Sequence, residues 1–304
     1  MPSSEIILHH YDTSPFSEKV RLLFGLKGVT WRSVIQPVIM PKPELVPLTG
    51  GYRRIPVMQI GADIFCDTQV ILAEVARRTG GENLAGGGAW ALNLWADRLF
   101  FQTTVPVIFG ELGDSVPRAF IEDREKLSGR AFDMPAMKAA AAVMRSQWRA
   151  QAVWIDEALA GADYLGGARP GLADVAAYMN FWWLGGAAPG IAQTLLADLG
   201  RVKAWQAKLA AVGHGQRSEM TPAEALAVAK ASEPARFKDH DASEPSGLKT
   251  GDKVTVSADD YGREPIAGVL VGAGRDQVVI AREDPAVGRL HVHFPRAGYI
   301  VSAG

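Results

Sequence analysis

Hydrophobic positions follow three successive patterns along this chain, and each pattern predicts a different kind of structure. From residue 5 to residue 80, short apolar runs alternate with apolar stripes of helical spacing. The runs predict strands over residues 5–8, 30–36, 57–60 and 63–65, and the stripes predict helices over residues 20–26 and 68–78. Prolines between residues 37 and 47 leave room only for a short or distorted helix there. A small mixed sheet with helices packed on it accounts for this order.

The second pattern, from residue 89 to about residue 212, is helical throughout. Its clearest stripe covers residues 137–159, and a strongly apolar stretch covers residues 175–192. Asn180, Gly185 and Pro189 interrupt that stretch, so we interpret it as a buried core helix with its end and not as a membrane span. Thr221-Pro222-Ala223-Glu224 combines a capping threonine with a proline and a glutamate at favoured positions, which predicts a short helix to about residue 231.

The third pattern, from residue 248 to the end, has a period of two. It predicts five short strands over residues 253–256, 266–271, 277–281, 290–294 and 299–301. We expect a small all-β, barrel-like domain that is barely large enough to hold its own core. The predicted organisation is an α/β domain over residues 1–82, an all-α helical domain over 88–231, a linker over 232–247 and the β-domain over 248–304. Gly80-Gly81 and Gly86-Gly87-Gly88 bracket the first connection.

The charges of the chain are nearly balanced. There are 32 Lys and Arg against 33 Asp and Glu, which gives a net charge of −1. Such a chain has no bulk attraction for nucleic acid or for an anionic membrane, so neither is an expected partner. The one cysteine, Cys66, excludes an intrachain disulfide and a thiolate metal cluster. No signal peptide is predicted, and the expected location is cytoplasmic.

Ser14-Pro15-Phe16-Ser17 stands at the junction between the first predicted strand and the first predicted helix. A junction of this kind directs free backbone N–H groups, and the positive end of the helix dipole, at whatever lies above the turn. A sulfur anion would be stabilised there. Serine is also a favoured helix N-cap, so a purely structural role for Ser14 stays open on the residues alone.

Three motifs in register give this segment a resemblance to the cytosolic glutathione transferases. The turn at Ser14 resembles the family's active-site turn in its serine form, and also the Cys-Pro-x-Cys turn of thioredoxin-like proteins with both cysteines replaced. Arg54-Ile55-Pro56-Val57 resembles the family's Val/Ile-Pro pair, whose proline is cis, and Asp67-Thr68 resembles the acid–hydroxyl pair that opens the following helix. Residues 170–176 resemble the N-capping segment of the family's core helix, with Gly171 where Ser or Thr is usual. The resemblance covers residues 5 to about 215 and does not include the tail.

The resemblance implies a thioredoxin-like domain followed by an all-α helical domain, with glutathione held across the first. The backbone of Ile55, beside Pro56, would pair with the cysteinyl part of glutathione. Asp67 would face the γ-glutamyl ammonium and Thr68 the γ-glutamyl carboxylate, although Asp67 could instead serve only as an N-cap. Lys42 would reach the glycine carboxylate, or else be a solvated loop lysine. The other implied glutathione contacts are Phe16, Ser17 and Arg54.

Ser14 would then lie next to the sulfur, where its hydroxyl favours thiolate over thiol. Lowering the pKa of a thiol by two units requires about 2.7 kcal/mol, at about 1.36 kcal/mol per unit. A charge-assisted hydrogen bond and the helix dipole can supply that free energy. Because serine forms no mixed disulfide, glutaredoxin-like chemistry through Ser14 or Ser17 is excluded.

The sequence therefore predicts a glutathione-transferase-like enzyme in which the bound thiolate attacks a small electrophilic molecule, by conjugation, dehalogenation or isomerisation. The resemblance also implies a homodimer. One alternative is a non-catalytic scaffold whose β-domain recruits a partner, and another is an enzyme whose substrate is not linked to glutathione. Candidates for the electrophile pocket are Trp95, Phe100 and Phe101, which core packing explains equally well.

The remaining candidate side chains point to structural roles. Cys66 stands at a strand end and is interpreted as a buried, inert thiol. His9 and His10 point to opposite faces of one strand and cannot chelate a metal together. His291 and His293 share a strand face but lack a clear third ligand, so no metal site is predicted.

Overall fold

A computed structural model describes residues 5–80 and 87–304 of the chain. Its first part runs β1 (Ile6–His10), α1 (Pro15–Leu26), β2 (Thr30–Ile35), α2 (Val46–Thr49), β3 (Val57–Ile60), β4 (Asp63–Cys66) and α3 (Thr68–Thr79). β1 pairs in parallel with β2 and antiparallel with β3, which pairs antiparallel with β4. This is the predicted thioredoxin-like arrangement, and the proline-rich segment holds only the short α2. The glycine-bracketed connection over residues 81–86 lies outside the described residues.

The middle of the chain is helical, as predicted. Its helices are α4 (Gly87–Trp95), α5 (Phe101–Leu112), α6 (Arg118–Ser128), α7 (Met134–Ala158), α8 (Leu172–Ala187), α9 (Pro189–Leu195) and α10 (Gly200–Ala210), with a π-helical turn over Ala96–Phe100. α8 is the buried core helix, and it ends just before Pro189. Within residues 5–80 and 87–304, no helix combines the length and apolar character needed to cross a membrane.

The five predicted strands of the tail are confirmed as β6 (Lys253–Ala258), β7 (Ile266–Ala273), β8 (Gln277–Asp284), β9 (Gly288–Pro295) and β10 (Tyr299–Ala303). They do not form a separate sheet. β9 pairs in parallel with β4, so the described strands make one sheet in the order β10-β6-β7-β8-β9-β4-β3-β1-β2-β5. The free N–H and C=O groups along the edge of β4 supply a template for this pairing, and such edges leave no signal in the side-chain pattern.

The tail shares its core with the thioredoxin-like domain. Buried side chains of the first part, including Val57, Ile64 and Cys66, pack in one cluster with Ile280 and Phe294 of the tail. A segment that is small for a core of its own gains one by packing against an existing sheet. The five strands are therefore an extension of the first domain, and we call residues 248–304 the β-extension.

A further strand, β5 (Gln216–Glu219), precedes α11 (Pro222–Lys230) and pairs in parallel with β2 at the other edge of the sheet. The sequence did not indicate it, because all of its residues are exposed and polar. The following helix begins at Thr221 as predicted: the Thr221 hydroxyl accepts from the Glu224 amide, and the Glu224 carboxylate accepts from the Thr221 amide.

Asp174 ties the start of α8 to the rest of the helical domain. Its buried carboxylate accepts hydrogen bonds from the Leu165 amide at 2.8 Å, the Gly171 amide at 2.9 Å and the Trp205 indole at 2.8 Å. Gly171 occupies the N-cap, where it has no side chain to offer, so Asp174 satisfies amide groups at this helix end.

Replacing Asp174 with alanine would leave several buried donors without an acceptor. We expect the free energy of unfolding to fall by about 3 kcal/mol, since each unsatisfied buried donor costs about 1–3 kcal/mol. Urea denaturation followed by circular dichroism measures this change. The control is Asp163→Ala, which removes an exposed partner of Lys208 and should produce no measurable change. An unchanged urea midpoint for Asp174→Ala would refute the role given to this carboxylate.

Candidate functional site

Ser14 lies at the start of α1, as the sequence predicts. Its backbone is extended, its hydroxyl oxygen accepts a hydrogen bond from the Ser17 amide at 3.1 Å, and Pro15 takes the first helical position. Ser14 is thus the N-cap of α1. Because its oxygen is only an acceptor in this cap, the Ser14 hydroxyl keeps its proton for another partner.

Tyr11 approaches the same hydroxyl and is a residue that the sequence did not single out. Burial raises the pKa of its phenol, and the nearby Arg124 and Ser14 side chains oppose that rise. Tyr11 therefore stays protonated in the neutral range. Arg124 comes from α6, so only the folded chain brings this pair together.

Two adjoining cavities contain most of the predicted site residues. A cavity of about 50 Å³, here the small cavity, is lined by Phe16, Arg54, Ile55, Pro56, Asp67 and Thr68 among others. A cavity of about 250 Å³, here the large cavity, is lined by Ser14, Phe16, Lys42, Arg54 and Ile55 among others. Of the predicted residues, Ser17 alone is on neither wall; it contributes its amide to the Ser14 cap, and its buried hydroxyl has no partner among the described residues. The Ile55–Pro56 peptide bond is cis.

Asp67 has a strained backbone at the wall of the small cavity. Its φ of 88° is the one positive value among non-glycine residues of the described chain. Strain of this kind costs about 1–3 kcal/mol and is often retained at functional sites. One carboxylate oxygen caps α3 by accepting from the Gln69 amide at 2.9 Å, and the other accepts from the Tyr299 hydroxyl at 3.1 Å. The capping role offered for Asp67 is therefore present, and its contact with a ligand ammonium stays a prediction.

Thr68 is supported by a buried ion pair that the sequence did not indicate. The fully buried ammonium of Lys19 donates to the Thr68 hydroxyl at 3.1 Å and to the Asp97 carboxylate at 2.7 Å. Burial raises the pKa of Asp97 while the Lys19 ammonium opposes that rise. Asp97 lies in the π-helical turn, so this pair also fixes the helical domain against α1.

Several cationic side chains line the large cavity. Its wall includes Lys42, Arg53, Arg54 and Arg124. Lys42 is 2% exposed and donates to the Pro37 carbonyl, and burial, with the charges of Arg124 and Arg53, lowers the pKa of Lys42 to about 8. Lys42 is therefore a buried lysine and not a solvated loop residue, and its contact with a carboxylate stays a prediction.

Aromatic side chains also line the large cavity. They are Phe16, Phe101, Phe109, Phe120, Phe132 and Trp183. Of the three residues offered for an electrophile pocket, Phe101 is among these, stacked on Trp183. Phe100 is buried in the helical core and Trp95 packs against it, which is the core-packing role left open by the sequence.

Other polar groups are held in structural contacts. Cys66 is buried, and burial raises the pKa of its thiol, in keeping with the predicted inert role. Burial also lowers the pKa of His9 to about 4 and of His10 to about 3. His293 lies 2.9 Å from an Asp63 carboxylate oxygen across the β4–β9 seam. Across the part of the chain that the structure describes, no group of three or more His, Cys, Asp or Glu side chains is arranged to hold a metal ion.

Known proteins resemble this chain both in its separate domains and over its whole length. Sequence models of the N-terminal and C-terminal domains of glutathione S-transferase match residues 8–83 and 137–206. The crystal structure of a GST-like protein from Pseudomonas syringae is 36% identical, with 99% of this chain and 100% of that chain covered and a TM-score of 0.82. The match therefore includes the β-extension.

More distant relatives share part of the chain. A tau-class glutathione S-transferase from mango, Mangifera indica, has the same fold at 14% identity, with 69% of this chain and 90% of that chain covered and a TM-score of 0.53. Glutathione S-transferase U4 of Arabidopsis thaliana is 32% identical over 59 residues, and this chain spans 26% of its length. From the two matched domains and the full-length similarity to the Pseudomonas protein, the chain belongs to the glutathione S-transferase family.

Proposed function

We propose that this protein binds reduced glutathione beside Ser14 and catalyses attack of the glutathione thiolate on a small electrophile held in the large cavity. The observation that carries the proposal is the convergence of the predicted residues: eight of the nine line the two cavities, and Phe16, Arg54 and Ile55 line both. In this arrangement the small cavity takes the γ-glutamyl end, the Ile55 backbone the cysteinyl part, and Lys42 the glycine carboxylate.

The surroundings of Ser14 favour a thiolate. The Ser14 oxygen accepts in its cap and its proton can be donated to sulfur, and the N-terminus of α1 contributes its dipole. The cationic side chains of the large cavity add to this field. These groups act on the charge of the sulfur, so they stabilise the nucleophile without forming a covalent bond to it.

The shape of the large cavity favours an apolar or aromatic electrophile. Its aromatic side chains exclude water, and its volume of about 250 Å³ suits a small organic molecule. The scaffold alternative has no comparable support, because the β-extension joins the chain's own sheet and shares its core. A homodimer and a cytoplasmic location stay predictions.

The first measurement is calorimetric titration of the purified protein with reduced glutathione. We expect saturable binding in the micromolar-to-millimolar range. A folded protein that shows no binding would contradict the proposal.

The Ser14→Ala variant tests the mechanism. We expect it to retain glutathione binding and to lose turnover with an aromatic halide by tenfold or more, which corresponds to about 1.4 kcal/mol of transition-state stabilisation. The ultraviolet absorbance of the bound thiolate should show that the pKa of the glutathione thiol is higher in Ser14→Ala than in the wild-type protein. Thr221→Ala is the matched control, because it removes the N-cap hydroxyl of α11 away from both cavities. Both variants should lose about 1 kcal/mol of stability, but only Ser14→Ala should lose activity. Unchanged turnover in Ser14→Ala would refute the catalytic role.

The pH dependence of binding tests Lys42. Because the pKa of Lys42 is lowered to about 8, its ammonium is charged below that pH and neutral above it. Affinity for S-methylglutathione, which has no titrating thiol, should therefore fall as the pH rises through about 8. Lys42→Arg should remove this fall, since a guanidinium stays protonated. The ratio of the wild-type affinity to the Lys42→Arg affinity at each pH cancels the effect of titration of the ligand itself. Identical pH profiles would show that Lys42 does not hold the carboxylate.

A further inference from the structure

The β-extension reaches the same cavity as the predicted γ-glutamyl contacts. Besides Asp67 and Thr68, the small cavity is lined by residues of the segment between β6 and β7 and of the start of β10, namely Asp260, Tyr261, Gly298 and Tyr299. These residues come from a part of the chain outside both matched domains. One wall of the cavity is therefore built by the family domain and another by the tail.

Arg54 is the central cation of this cavity, and the extension holds it from two directions. Its guanidinium donates to the Asp260 carboxylate, and its central carbon lies 3.8 Å from the centre of the Tyr261 ring. The Arg54 side chain is 11% exposed. An arginine held by both a carboxylate and an aromatic face has a fixed orientation and little freedom to leave the wall.

Tyr299 contacts Asp67, the second carboxylate of the cavity wall. Its hydroxyl donates to Asp67 at 3.1 Å and lies 3.3 Å from the Tyr52 hydroxyl. Burial, with the nearby Asp67 charge, raises the pKa of Tyr299, which keeps the phenol protonated as a donor. Asp67 is thereby oriented by a residue of the extension as well as by its own helix.

The charges around the cavity do not balance. Asp97 is paired with Lys19, and Arg98 with Asp259 at 2.5 Å. The remaining charged residues of the wall are one cation, Arg54, and two carboxylates, Asp67 and Asp260. A ligand group carrying one positive charge restores neutrality, whereas an anion alone would not.

We propose that the β-extension completes, within one chain, the subsite for the α-amino-acid end of the thiol ligand, with Asp260 and Asp67 together receiving its ammonium. The inference rests on the proposed function and identifies ligand-selecting residues of the same site. The ligand carboxylate then lies toward Thr68 and the N-terminus of α3, as the helix dipole favours.

The volume of the small cavity sharpens the class of ligand. About 50 Å³ holds roughly three to five water molecules, at about 10–15 Å³ each. An α-amino-acid head, with one nitrogen, two carbons and two oxygens, is of this size. The subsite accordingly has room for the end of a thiol that carries an unsubstituted amino acid.

Calorimetry with a pair of ligands tests the assignment of Asp260. The probes are S-methylglutathione and its des-amino analogue, in which hydrogen replaces the ammonium. We expect the wild-type protein to prefer S-methylglutathione by tenfold or more. In Asp260→Asn that affinity should fall about tenfold, while affinity for the des-amino analogue changes less than twofold. The control is Glu264→Gln, which neutralises an exposed carboxylate on the same segment and should leave both affinities unchanged.

A second variant keeps the test decisive if Asp260→Asn folds poorly. Tyr299→Phe retains the ring and removes only the donor to Asp67, so affinity for S-methylglutathione should fall at least threefold with the des-amino affinity unchanged. Equal losses for both ligands would mean that the extension only holds Arg54 in place, and would overturn the ammonium assignment, as would no loss at all. If the wild-type protein binds neither ligand, the proposed function itself fails, an outcome that these variants do not produce.

Discussion

The parallel pairing of β4 with β9 is the interaction on which the rest of this structure depends. It joins Asp63, Ile64 and Phe65 to His291, Val292 and His293, and it makes two groups of strands into one sheet. Without it, β4 would present an open edge, and the tail would have to bury its apolar residues on its own. The same pairing helps to position β10 beside the small cavity. β10 pairs with β6, and the hydrogen-bonded strands β6 to β9 connect it to β4. A backbone contact at a sheet edge thus determines which side chains surround the candidate ligand site.

Charge burial sets the second constraint. Lys19 is fully buried, and its ammonium is tolerated because Asp97 and Thr68 both accept from it. Removing one member of such a pair leaves an uncompensated charge, so the pair holds α1, α3 and the π-helical turn in one arrangement. Arg54 forms a second ion pair on the cavity wall, in which its guanidinium donates to Asp260. The small cavity therefore lies between two ion pairs that each connect different parts of the chain, which makes its shape a property of the whole fold.

Local signals explain what could be predicted from the sequence. The Ser14 turn, the Thr221 cap and the alternation over residues 253–301 depend on neighbours in the chain, and the structure contains each of them. The site residues from Ser14 to Thr68 followed from a resemblance in that same segment. Contacts across long separations left no such signal: Arg54 and Asp260 are 206 positions apart. β5 was missed for a related reason, since an exposed polar strand at a sheet edge has no apolar pattern to read. Tyr11 and Lys19 stand beside the motifs, but their roles depend on Arg124 and Asp97, which only the fold brings near.

A site built from both ends of the chain links ligand binding to the docking of the β-extension. In the proposed subsite Asp260 receives the ligand ammonium and Tyr299 orients Asp67, so the bound state is stabilised only when the extension is in place. By mass action, a ligand that binds this completed cavity stabilises the docked extension by the free energy it gains there. The coupling is reciprocal. A change that weakens the pairing of β4 with β9 must therefore also weaken ligand binding, even though the paired residues do not contact the ligand. On the proposed assignment, the strands of the β-extension act in ligand binding by the N-terminal domain, and no separate partner or function is required.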